Sequence, residues 1–169
     1  MYKRQVLKRY DILFIVDEVV CGYGRLGKWF GSELYDLKPD MMTTAKALTS
    51  GYFPFSASFV SDEIWQLLKD GSVKYGNFAH GYTYAGHPIG AAVAMANLDI
   101  IEKENLVDNA ATVGAYFHEQ LKQRFENDSF VAEVRGAGMI AAVQLVKDKS
   151  NKTFFEKDTK LSLIHISEP

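Results

Sequence analysis

The sequence predicts an α/β protein. Three observations carry the prediction. Residues 12–16 form an unbroken apolar run rich in β-branched side chains. Short strand-like segments then alternate with segments of helical period, and a helix is finally followed by two strand-like runs across Gly136-Ala137-Gly138. A continuous apolar run suits a strand buried on both faces, as in a parallel sheet. The alternation, and the helix with its strand pair, argue for an α/β unit leading into a smaller α+β one. The boundary is expected near residue 107, giving segments 6–107 and 108–160.

Taken in order, residues 6–10 read as the end of a helix. Residues 12–16 are the first strand, and 21–31 a glycine-rich irregular loop. Residues 41–44 and 56–60 are the next strands, separated by a loop marked by Gly51 and Pro54. Ser61 is the expected N-cap of a helix to about Lys69, with Asp62 and Glu63 in its first turn. A polar loop is expected over 70–80. Pro88 fits the first turn of a helix to about Glu104, whose Ala91, Ala92, Ala94 and Ala96 suggest close packing. A helix over 108–125 carries Val113, Phe117, Leu121 and Phe125 at helical spacing. Strands over 131–135 and 139–146 complete the reading.

Both ends look foreign to this pattern. MYKRQ at 1–5 and LSLIHISEP at 161–169 resemble a sequencing adapter translated in from either side. They are excluded from fold reasoning as a fusion scar would be, and 6–160 is expected to be an internal piece of a longer protein.

The 169 residues are 47% hydrophobic and 24% charged, which is ordinary globular composition. A net charge of −2 makes no electrostatic case for nucleic acid or an anionic membrane. No apolar stretch approaches the roughly 18 residues of a membrane span, and the amphipathic start is not expected to be a secretory signal. The single cysteine, Cys21, has no internal disulfide partner and reads as a small core residue. A cytoplasmic, reducing setting is therefore expected. His80 and His87 lack further ligands at metal-binding spacing, so no metal is expected and loop hydrogen bonding is.

The chemistry-bearing candidates are Asp17 and Lys46. Asp17 ends the first strand, where open α/β sheets place their ligands. Lys46 follows the second strand at the start of a glycine turn. Val19 shares Asp17's face if the strand persists. Glu18 points the other way and is given a structural role. Thr83, just before the Pro88 helix, supplies a hydroxyl beside helix-start amides, a natural phosphate site. Tyr82 lines the same pocket. The plainer readings are a surface lysine, a turn aspartate, a core valine and a helix-entry threonine. Arg25 reads as a structural ion-pair or backbone-binding residue.

The stretches DILFIVDEVVCGYGRLG (11–27), KPDMMTTAKALTSGY (38–52) and HGYTYAGHPIGAAVA (80–94) together resemble the class III, or ω-amino acid, aminotransferases. The resemblance covers essentially all of 6–160. It implies part of a fold type I pyridoxal-phosphate transferase large domain leading into part of a small C-terminal domain. It implies pyridoxal 5′-phosphate as cofactor, with Lys46 bonding the cofactor aldehyde and moving the substrate proton. Asp17 would partner the pyridine nitrogen and Val19 pack on the ring. Thr83 would reach the phosphate of the neighbouring subunit's cofactor, which makes the active site the shared property of a homodimer. The implied reaction moves an amino group from an amine or ω-amino acid to a keto acid such as pyruvate. An aminomutase of the same fold, or a non-catalytic assembly domain, are the alternatives. The family's substrate arginine lies further downstream than Arg135, which is left unassigned. The family's first half, with its phosphate-binding turn and stacking aromatic, has no counterpart here. The chain alone is therefore expected to be poorly soluble and inactive.

Overall fold

A computed structural model describes residues 2–159. The adapter-like segment 161–169 lies outside the described residues, whereas residues 2–5 belong to the first helix, α1 (Tyr2–Arg9).

Strand β1 (Ile15–Asp17) pairs in parallel with β2 (Met41–Thr44), and β2 pairs antiparallel with β3 (Ala57–Val60). Between β1 and β2 the chain makes a long excursion through the glycine loop and the short helix α2 (Gly31–Leu34), long enough to return the chain parallel. Between β2 and β3 residues 45–56, with one 3-10 segment (Lys46–Leu48), turn the chain back antiparallel. Asp40 secures the entry to this sheet, its Oδ2 accepting from the Phe14 amide at 2.7 Å.

Helices α3 (Asp62–Tyr75), α4 (Pro88–Lys103) and α5 (Leu106–Phe125) follow, then the hairpin of β4 (Val131–Ala137) and β5 (Ile140–Leu145). Ser61 caps α3 as expected, its side chain accepting from the Ile64 amide. Tyr23, Leu48, Ala94 and Ile101 form the core cluster, with Phe30, Phe55, Leu98 and Val107 packed around it.

Several expectations need correction. Ordered strand begins at Ile15 rather than residue 12, and Ile12, Leu13 and Ile15 are exposed rather than buried on both faces. Among the described residues β1 is an edge strand, paired only with β2. Helix α3 runs through the expected polar loop to Tyr75, because Gly71 in mid-helix costs only about 1 kcal/mol and does not stop it. The stop is Gly76, at φ 92, whose amide donates to the Ser72 carbonyl. Of the four alanines in α4 only Ala94 is buried, together with Gly90. Val113 is exposed, and α5 instead buries Ala110 and Gly114 beside the half-buried Phe117, Leu121 and Phe125.

Position 107 lies at the start of α5. Val107 packs onto the core cluster, and the glycine loop continues the contact. Gly27, at φ 77, sits so close to α5 that a Cβ there would lie 2.7 Å from Ala111 Cα. The Met139 amide of the hairpin turn donates to the Arg25 carbonyl at 2.9 Å.

Candidate active site

Asp17 and Lys46 leave the carboxyl ends of adjacent parallel strands. Asp17 is in register with Thr43, three positions before Lys46. Both side chains are exposed. The Val19 amide donates to Asp17 Oδ1 at 2.9 Å, and among the described residues nothing donates to Oδ2. The carboxylate is thus held by one oxygen with the other open to a ligand. Val19 is half-buried beside it.

Glu18 does point away from Asp17, into the protein. It is 2% exposed. Its Oε2 accepts from the Gly31 amide at 2.9 Å and its Oε1 from the Ser32 amide at 2.6 Å. Its own amide donates to Thr43 O and its carbonyl accepts from Gly22 N, both at 2.9 Å. Buried polar atoms require such partners, and Glu18 uses them to fasten both ends of the glycine loop to the end of β1. Across the strands, the Tyr23 hydroxyl and Thr44 Oγ1 lie 2.9 Å apart in the interior.

Lys46 has φ 45, a left-handed conformation uncommon for a residue with a side chain. Its turn is closed by Leu48 N donating to Ala45 O and Thr49 N to Lys46 O. The Thr49 hydroxyl donates to Phe53 O at 2.6 Å, and Asn97 of α4 donates to Ala47 O and Leu48 O. The backbone is pinned on several sides while the amine projects outward. Among the described residues no hydrogen bond or ion pair engages that amine.

Thr83 lies in an exposed turn leading towards α4, where the Ala85 amide donates to Tyr82 O. It is not the helix cap; that position is His87, with Pro88 behind it. No described hydrogen bond brings Thr83 to Asp17 or Lys46. Tyr82 is exposed, its ring edge-on to His80 at 5.4 Å. His87 makes no loop hydrogen bond through Nδ1, which is buried without a partner among the described residues. It packs instead against Phe53 and Tyr84. The exposed Arg25 contributes its backbone carbonyl, and no described ion pair involves its guanidinium. Arg135 pairs with Glu133 at 3.1 Å and with Gln144. Burial first, then the charges of Glu18 and Asp17, push the Cys21 thiol above its ordinary pKa, which leaves it a poor nucleophile. Among the described residues no metal-binding cluster is present.

Sequence reasoning missed Asn97 and the Tyr23–Thr44 pair. Asn97 carried a signal: it interrupts the apolar face of α4 that runs through Gly90, Ala94 and Ile101.

The comparisons agree on one family. The model of the class-III aminotransferases matches residues 3–167, and the chain belongs to that family. It is 53% identical over 151 residues to an uncharacterized aminotransferase of Sinorhizobium fredii, covering 89% of this chain and 32% of that protein. It is 45% identical over 152 residues to the putrescine–pyruvate aminotransferase of Pseudomonas aeruginosa, covering 90% and 32%. The ω-transaminase of Pseudomonas jessenii, solved in complex with PMP, superimposes with a TM-score of 0.87 at 42% identity, covering 90% of this chain and 34% of that one. The fold is therefore part of the fold type I transaminase architecture. The chain spans about a third of the length of the curated relatives it matches.

Proposed function

We propose that this chain carries the lysine and aspartate half of the active site of a pyridoxal-phosphate aminotransferase. Its amino donors would be amines or ω-amino acids and its acceptor a keto acid such as pyruvate. The carrying observation is the placement of Asp17 and Lys46 at the carboxyl ends of paired parallel strands, within a chain of this family. The donor set fits the cofactor: a carboxylate with one free oxygen, an unengaged primary amine, and an apolar side chain between strand end and loop. Bound there, pyridoxal 5′-phosphate would supply an aldehyde for the amine and an electron sink for the substrate carbanion.

The chain's own residues would divide the work. Asp17 Oδ2 would accept a hydrogen bond from the protonated ring nitrogen and stabilise its charge. Val19 would pack on the ring and exclude water from one face. Lys46 Nζ would take the proton from the donor's Cα and return it as general acid. Thr83 would donate its hydroxyl to the phosphate held by a neighbouring subunit, so the working unit would be a homodimer. The exposure of Thr83 and its turn supports that reading. The relative named for putrescine and pyruvate supports the donor and acceptor classes.

The test uses the complete aminotransferase that carries this chain. Lys46→Ala should abolish the Schiff-base absorbance that the lysine makes with the cofactor aldehyde and reduce turnover by at least about a thousandfold, the scale of losing a general acid–base group with its covalent role. Unchanged absorbance and turnover in that variant would overturn the assignment.

A further inference from the structure

We infer that Asn97 is a positioning residue for Lys46, an inference that rests on the aminotransferase reading above. The turn after Lys46 is closed by its own hydrogen bonds, but those bonds alone do not anchor it to another element. Asn97, from the middle of α4, provides the cross-link. Its Nδ2 donates to Ala47 O at 2.7 Å and to Leu48 O at 3.2 Å. Its Oδ1 accepts from the Ser50 hydroxyl at 2.7 Å. A primary amide has two N–H donors and one carbonyl acceptor, and this one uses all three functions on a single turn.

That turn holds two non-glycine residues in the left-handed region, Lys46 at φ 45 and Ser50 at φ 50. Such backbone persists only where its surroundings over-determine it. Asn97 engages the carbonyls of the two residues immediately after Lys46 and the side chain of Ser50. It thereby fixes both strained positions relative to α4, which itself packs into the core through Ala94 and Ile101. With the amide removed, the turn keeps its own bonds and the burial of Leu48 but loses its polar tie to α4, and a small shift in the direction in which the Lys46 amine leaves the backbone follows. Positioning of a reacting group is where small displacements cost most.

A purely structural Asn97 would satisfy two carbonyls and nothing more. Its loss would then lower stability without altering the amine's reach. The two roles separate in the complete aminotransferase loaded with pyridoxal phosphate. Asn97→Asp keeps the shape but can only accept; Asn97→Ala removes the group; Ser50→Ala removes the third bond alone. The readouts are the dissociation constant for pyridoxal phosphate by absorbance titration, kcat and KM for the amino donor, and the melting temperature. Both Asn97 variants should weaken cofactor retention about tenfold and lower kcat about tenfold with KM within about twofold, while Ser50→Ala, which leaves both carbonyl bonds of Asn97 in place, should shift cofactor affinity and kcat in the same direction but by less.

Cofactor affinity and kcat unchanged in either cooperatively melting Asn97 variant overturns the inference, whatever the melting temperature does. Failure of both variants to melt cooperatively also counts against it, since the side chain would then be a requirement for folding. Lys46→Ala keeps the two levels apart. If it retains the absorbance, the reading of Lys46 fails; if it loses the absorbance while Asn97→Asp behaves as wild type, only the role of Asn97 fails.

Discussion

The glycine loop at 21–31 and the segment at 70–86 are both rich in the residues that punctuate chains, yet they are held in opposite ways. The loop is locked. Glu18 fastens Gly22, Gly31 and Ser32, Gly27 lies against Ala111, and Tyr23 is in the core. The later segment lies open. Val73 is 90% exposed and Tyr84 78% exposed, with Tyr75, Phe78 and Tyr82 exposed near them. A Cβ added at Gly76, Gly81 or Gly86 would meet nothing within 4 Å. Glycine in the first region permits close approach, and in the second it lets the backbone turn in free space. The lesson is that the region around Asp17 is held within this chain, whereas the region around Thr83 presents a surface. Large exposed apolar patches are commonly contact surfaces, and the proposed second subunit would cover this one.

The strongest way to break the contrast is Gly27→Ala. The added methyl would sit 2.7 Å from Ala111 at φ 77, and overpacking with backbone strain should cost about 2–4 kcal/mol in a denaturant melt of the complete protein. Gly86→Ala, at φ 67 but with open space, should cost only the strain, about 1 kcal/mol. Equal losses would erase the difference between the regions.

Glu18→Gln comes next. The new NH2 cannot accept, so one of the Gly31 and Ser32 amides loses its partner at a cost of about 1–3 kcal/mol, read by the same melt. Tyr23→Phe keeps the ring and removes its hydroxyl from Thr44, for about 1 kcal/mol. In the open segment, Tyr84→Ser should move the melting of the isolated subunit by no more than about 0.5 kcal/mol. The same change should weaken dimerisation measured by sedimentation, and an unaltered dimer would deny this surface its partner.

The smallest effect lies in the loop after β5. Asp148 accepts from Ser150 and Asn151, and these bonds, that from the Ser150 side chain first, lower its pKa to about 2. A depressed carboxyl pKa contributes stability above the ordinary carboxylate value and loses it as pH falls through about 2. Ser150→Ala should raise the Asp148 value towards that ordinary range, followed by NMR titration of its carboxyl carbon. No rise would show that the side-chain bond does not set the charge.

Much of the fold was legible. Met41–Thr44 stands where the β-branched and apolar pattern placed it, Ser61 caps its helix, and Pro88 opens α4. Local chemistry decides each of these, through strand propensity, an N-cap hydroxyl and a missing amide hydrogen. Where the expectation failed, the reasons differ. Residues 70–80 were read as a loop, but the helix held until Gly76. The run at 12–16 was read as fully buried because buried strands have that composition, yet burial belongs to what lies against a strand and not to the strand. Val113 has the spacing of a core residue, but close contact between Gly114 and Gly138 sets which face of α5 turns inward.

The sequence by itself determined the family and most of the order of elements, and it supplied the two residues proposed to lead the site, because strand ends, glycine turns and reactive side chains are written locally. Only the tertiary structure decided how those residues are held. The bonds from Glu18 to Gly31 and Ser32, from Tyr23 to Thr44, and from Asn97 to Ala47 and Leu48 join residues 13, 14, 21, 50 and 49 positions apart. No periodicity spans such separations, and hydrogen-bond partners at that range exist only once the chain has closed around its core.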